Sequence, residues 1–148
     1  MPTTEEIKFL IPIMTGNKAP SGSVTVSRSG TYAYYAFNKN YEQQWGLTGS
    51  QTPSTDDYIQ YTFAKPVKKI TGFVVLAKQS GNTTCGIYAV LSNGTEVFLG
   101  SYIAHSDAEF FIGTCECEGE IVSVKIRPMS FILNNVFYVN YLNVLGVE

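Results

Sequence analysis

Few side chains in this sequence are spaced for chemistry. Two adjacent carboxylates, Asp56 and Asp57, sit behind Pro53-Ser54-Thr55, and the single histidine, His105, precedes Ser106 and Asp107. A carboxylate pair can divide acid and base work when its side chains converge, but neighbours on an extended chain point apart. His105 has no second histidine with which to hold a metal, and no nucleophile and base are spaced around it. Cys115-Glu116-Cys117 puts two thiols on one face of a strand, which begins a soft-metal site that no second ligand pair completes. With Cys85 the thiols number three, so they cannot all pair within one chain. Free cysteines, buried or at a sheet edge, in a reducing compartment are expected. No catalytic set emerges, and the expectation is that the protein is not an enzyme.

The framework that must carry any other function is legible in the composition. A chain of 148 residues suits one domain with a proper core. Only 15% of residues are charged while 14% are aromatic, which favours an all-β protein whose surface is supplied by Ser, Thr, Asn and Tyr. The net charge is −2, and no basic run exceeds Lys68-Lys69, so a phosphate-binding footprint is absent and nucleic acid is excluded as a partner. The N-terminus has no basic signal region, and the apolar run from Phe9 to Met14 is too short to cross a membrane. Folding in the cytoplasm where it is made is the expectation, with no membrane partner.

Along the chain, Thr3 to Lys8 has helix-start chemistry, with Thr3 or Thr4 as N-cap ahead of Glu5 and Glu6. Residues 1–14 are set apart as an N-terminal arm or edge segment, and 15–148 as the main domain. The arm's apolar run, interrupted by Pro12, either packs along an edge or docks on another subunit through Phe9, Leu10, Ile11 and Ile13. Val24 and Val26 alternate with polar residues as a half-buried strand, and Tyr32, Tyr34 and Tyr35 follow in a loop where at least one must reach the surface. Gly46 to Asp57 is a long polar loop. Tyr58 to Phe63 is a strand ended by Ala64-Lys65-Pro66, and Ile70 to Ala77 reads as a strand covered on both faces. Ser92-Asn93-Gly94-Thr95 marks a hairpin between Ile87–Leu91 and Glu96–Leu99. Glu109–Gly113, Ile121–Arg127 and Val136–Val147 supply further strands, with a loop at Pro128–Asn135. Strands at intervals of about ten residues without a long helix predict an antiparallel β-sandwich.

The stretch Ala33 to Trp45 carries a resemblance. Ala36-Phe37-Asn38-Lys39-Asn40, then Trp45, then Tyr58-Ile59-Gln60-Tyr61-Thr62-Phe63, and a closing Tyr141-Leu142-Asn143-Val144-Leu145-Gly146 are similar to signature phrases of the galactose-binding-like family, also called discoidin or coagulation-factor type C modules. The resemblance implies a jelly-roll β-sandwich over about residues 15–146, with Trp45 as its core tryptophan. Many sugar-binding members hold calcium through an Asp in the first phrase and a Glu in the last. Asn38 and Tyr141 stand there, so no tight calcium site, and no other cofactor, is expected. The family's turn glycine is Lys39, so either that residue no longer needs a positive φ or the turn is rebuilt.

Family ligands bind at loops on one end of the sandwich, where rings stack on sugars and polar side chains read hydroxyls. The resemblance thus implies Arg28, Tyr32, Tyr34, Gln51, His105, Phe131 and Asn134 as carbohydrate-binding candidates. Tyr34 covers the core or meets a ligand, His105 is a loop residue in solvent or a reader, and Phe131 is expected exposed at the tip of the late loop. The phrase Leu10 to Thr15 leading into Ala19-Pro20-Ser21-Gly22 also resembles modules of bacteriophage tail and head-fibre proteins. That implies a multi-copy virion component, folded in the host cytoplasm, docked on other virion proteins through its N-terminal segment and displaying the sandwich toward cell-surface glycans. The alternatives are a purely structural virion assembly part and a free-standing bacterial carbohydrate-binding module.

Overall fold

A computed structural model describes residues 6–14, 22–77, 83–104, 110–132 and 135–148. Within them lie nine strands: β1 (Lys8–Phe9), β2 (Ser23–Val26), β3 (Trp45–Leu47), β4 (Ile59–Leu76), β5 (Thr83–Leu91), β6 (Glu96–Ala104), β7 (Phe110–Phe131), β8 (Phe137–Val139) and β9 (Tyr141–Val147). All pairings are antiparallel, in the order β1-β9-β4-β7-β5-β6 with β2 on β4, and β3 pairs β8 separately. The chain is an all-β sandwich, as its strand spacing predicts.

Two long strands turn the corner between the layers. The stretches read from sequence as separate strands, Tyr58–Phe63 and Ile70–Ala77, are halves of β4, and Glu109–Gly113 and Ile121–Arg127 lie in β7. The first half of β4 pairs with β2 and residues 123–126, the second with β9 and residues 110–118. Register shifts between Thr62 and Val67 mark the bend. Ala64, Lys65 and Pro66 are exposed there, where a residue without an N–H costs no ladder bond. Past the bend, Phe73, Val75 and Ala77 face the main core, whereas Val74 and Leu76 are buried on the other side beneath Tyr41 and Tyr141. Coverage on both faces explains the continuous apolar run.

The hairpin forms where expected, with only one residue of its turn at positive φ. Gly94 (φ +88°) donates to the Leu91 carbonyl, and Leu91 donates to the Thr95 carbonyl, both at 2.9 Å. That is the three-residue connection with its left-handed position on glycine.

The N-terminal reading needs correction. Residues 6–8 are not helical, because Lys8 and Phe9 pair with Gly146 and Leu145; residues 1–5 lie outside the described residues. Of the two readings of the segment before residue 15, packing along the sheet edge is the one seen. The Leu10 N–H donates to the Val144 carbonyl and the Met14 N–H to the Phe37 carbonyl, both within 3.0 Å. The Asn143 amide brackets Ile11, its Oδ1 accepting from the Ile11 N–H and its Nδ2 donating to the Ile11 carbonyl, each at 3.0 Å. Leu10 and Ile11 are buried in the chain's own core and cannot dock on a partner, while Phe9 and Ile13 remain half exposed. No helix among the described residues is long and apolar enough to cross a membrane.

Candidate functional site

Ser27-Arg28-Ser29 leaves the end of β2 and is gripped by the 48–57 segment. Arg28 makes a two-pronged pair with Asp57, Nε to Oδ1 and Nη2 to Oδ2, both 3.0 Å, and Nη2 also donates to the Thr52 carbonyl at 3.1 Å. Asp57 is 5% exposed and accepts two more bonds, from Ser27 Oγ and the Ser54 N–H, each at 2.8 Å. Burial works to raise its carboxyl pKa, but the bonds from Arg28, Ser54 and Ser27 together with the Arg28 charge outweigh it and hold the group below its ordinary value. The adjacent carboxylates of the sequence are thus a structural latch and an exposed neighbour rather than an acid–base pair.

Gln51 closes the same network. Its Oε1 accepts from the Thr48 N–H at 2.8 Å and its Nε2 donates to Ser29 Oγ at 2.7 Å, a capping box that shapes the short 3-10 turn Gly49–Gln51. Trp45 is 1% exposed, packs edge-on against Phe137, and donates from Nε1 to the Ser29 carbonyl at 3.0 Å. Asn135 donates to the Pro53 carbonyl at 3.4 Å. The end of β2, the core tryptophan, the 48–57 loop and the 135 segment therefore form one polar framework at one end of the sandwich. The loop is ordered by its side chains, and its start, Trp45–Leu47, is β3.

The remaining candidates separate. The three tyrosines lie in a 3-10 segment, Gly30–Phe37, rather than an open loop. Tyr32 is 56% exposed and stacks on Tyr35 with ring centres 5.0 Å apart. Tyr34 packs half-buried against the core. Phe131 is no loop tip: it is the last residue of β7, half-buried and paired with Thr83, because the strand runs past Arg127 to Phe131 itself. His105 and Asn134 lie outside the described residues. Arg28 and Gln51 thus come together with Tyr32 close by in the chain, but their polar groups mostly hold the loop.

Sequence reasoning missed a cleft beside this framework. Thr55 and Asp56 form one wall and Tyr88, Arg127, Pro128 and Met129 the rest of a shallow cleft open to solvent, of about 410 Å³. The Arg127 guanidinium lies over the Tyr88 ring, 4.2 Å from its centre, and Nη1 is 3.3 Å from Glu96 Oε1. Glu96 also pairs with Lys125 Nζ at 2.6 Å. A Cβ at Gly86 would sit 2.7 Å from the Tyr88 ring, so only glycine lets that ring lie along β5. The signal in the sequence was slight: Tyr88 and Arg127 sit at alternating positions, but nothing local states that their strands are neighbours.

The calcium position implied by the fold does not fit calcium here. Asn38 donates from Nδ2 to Gln43 Oε1 at 2.7 Å and accepts on Oδ1 from the Asn40 N–H, and Tyr141 is buried against Tyr41. No carboxylate is supplied by either residue. Lys39 keeps a positive φ of +62°, so the turn still needs the left-handed conformation although its glycine is gone. Among the described residues no three His, Cys, Asp or Glu side chains cluster to hold a metal. All three cysteines are free. Burial raises each thiol, Cys85 to about 12, which keeps them protonated and unreactive near neutrality.

No family model matches the sequence, and no curated protein matches it either. Solved structures do. A family 32 carbohydrate-binding module of Clostridium perfringens NanJ, solved with galactose, superposes with a TM-score of 0.63 at 18% identity, over 85% of this chain and 93% of that one. The fold is that of the family 32 carbohydrate-binding modules. A pectin-binding module is similar at a TM-score of 0.58 and 14% identity, over 86% of this chain and 91% of its own. A truncated AlyQ with such a module and an alginate lyase domain reaches a TM-score of 0.70 at 10% identity, covering 98% of this chain but 34% of that one. The galactose-binding-like sandwich implied by the Ala33–Trp45 stretch is thus the fold observed.

Proposed function

We propose that this protein is a non-catalytic carbohydrate-binding module that holds a sugar at the end of the sandwich framed by Arg28, Gln51 and the 48–57 loop. The observation that carries the reading is the superposition, over 85% of this chain and 93% of the other, on a module solved with galactose. The framework supports it in kind: it is tied together by its own hydrogen bonds, it presents the exposed face of Tyr32, and the Nη1 group of Arg28 has no partner among the described residues. An exposed ring can lie on the C–H face of a sugar while a guanidinium edge donates to hydroxyls. The experiment is a glycan array probed with the protein multimerised on beads. Reproducible retention by one sugar class supports the reading, and silence across the array contradicts it.

We propose a bacteriophage particle as the setting, on the resemblance of the Leu10 to Gly22 phrase to fibre modules alone. Many copies on one particle would raise weak single-site binding by roughly 10² to 10⁴. Antibody against this protein should label intact particles; particles free of it would remove the setting and leave the module reading in place.

A second reading, an assembly part, is favoured by one observation. Ile7, Phe9 and Ile13 are 59%, 55% and 50% exposed in the edge strand and on either side of it. Sedimentation of the wild type against a Phe9→Ser, Ile13→Ser double variant tests it: association lost in the variant supports docking there, and two identical monomers contradict it.

A further inference from the structure

The 48–57 loop has two sides, and the second has its own chemistry. Asp57 turns toward Arg28 and the framework, while Thr55 and Asp56 wall the cleft over Tyr88 and Arg127. Two unlike polar groups line that cleft. Arg127 spends Nη1 on Glu96, and its Nε and Nη2 groups have no partner among the described residues. Asp56 is exposed, and its carboxylate likewise has none there. Donors from one wall and acceptors from the other can read adjacent hydroxyls of one sugar. Met129, 45% exposed, offers apolar surface for a C–H face. Lys125 and Arg127 balance Glu96 and Asp56, so the local charge sums to zero and favours neither an anion nor a cation. The guanidinium is also held in place by the Tyr88 face, so it needs little ordering when a ligand arrives.

We infer that this cleft is a second subsite, which takes a neutral sugar unit of the same glycan chain whose first unit sits at the framework end. The inference rests on the carbohydrate-binding reading and extends it: the module reads a stretch of chain rather than one terminal sugar, with the 48–57 loop as the wall shared by both subsites. Cross-strand pairing alone accounts for Glu96 with Lys125 and Arg127. It does not account for a cleft with unspent donors facing unspent acceptors.

The test is calorimetric titration of the full chain with galactose and with neutral galactan oligosaccharides of two to four units, beside oligogalacturonates of equal length. Affinity should rise about tenfold or more between one and three neutral units, as expected for added charge-assisted hydrogen bonds. Arg127→Gln and Asp56→Asn should each remove that gain, and Arg127→Gln, which lies outside the 48–57 loop, should leave the binding of single galactose unchanged. Asp56→Asn changes an exposed side chain and keeps the fold, and it settles the matter if Arg127→Gln fails to fold. Length-independent binding, a gain untouched by either variant, or a stronger response to oligogalacturonates overturns the subsite while the module reading stands. Absence of binding to every sugar overturns both.

Discussion

Arg28 and Asp57 face each other across the mouth of the sandwich, with two parallel bonds of 3.0 Å joining guanidinium to carboxylate. The pair ties the end of β2 to the far end of a ten-residue loop. It also has a defined response to acid. The folded-state pKa of Asp57 lies below its ordinary value of 3.8, so its contribution to stability is complete above that value and is lost as pH falls through the lower folded-state value. Asp57→Asn should therefore cost about 2–4 kcal/mol at neutral pH, since it leaves a partly buried guanidinium facing an amide donor. Urea denaturation at a series of pH values checks this: the gap between wild type and variant should narrow below pH 3.8.

Trp45 does two jobs at that end, filling the core against Phe137 and holding the Ser29 carbonyl at 3.0 Å. Trp45→Phe removes the hydrogen bond and part of the ring volume. The expected loss is about 2–3 kcal/mol, measured by thermal or chemical unfolding.

Lys39 sits at φ +62°, a conformation that strains any residue with a Cβ. Lys39→Gly relieves that strain and raises the entropy of the unfolded chain, two terms of similar size and opposite sign. The net expectation is a change within about 1 kcal/mol of zero, whereas Lys39→Val, β-branched, should lose more than that. The pair of variants read by denaturant midpoint distinguishes a retained turn from a rebuilt one.

The architecture was legible because its signals are local. Alternation in Val24-Thr25-Val26, the Asn93-Gly94 turn, the doubly covered run from Ile70 to Ala77 and the phrase from Ala36 to Trp45 each state their own conformation. The bends in β4 and β7 were missed because a strand crossing a corner keeps its chain polarity while changing partners, and residues 63–66 look like any turn. The N-terminal segment was left open between edge packing and docking because the partner that binds Ile11 is Asn143, at the opposite end of the sequence. The same limit applies to the site. Arg28 and Gln51 were proposed by residue type, but only the fold reveals that Asp57 and Ser29 occupy part of their hydrogen-bonding capacity. Tyr88 and Arg127 became neighbours through the β5–β7 ladder, which no spacing within either segment encodes.

The most direct measurement is an amide-shift titration of the isotope-labelled protein with galactose. Saturable shifts concentrated in residues 27–32 and 48–57, with binding weakened about tenfold in Tyr32→Ala, are the predicted result. Saturable shifts confined to residues outside those two segments, or binding unaltered in Tyr32→Ala, would contradict the site, and no shifts with any sugar retained on the array would contradict the function itself.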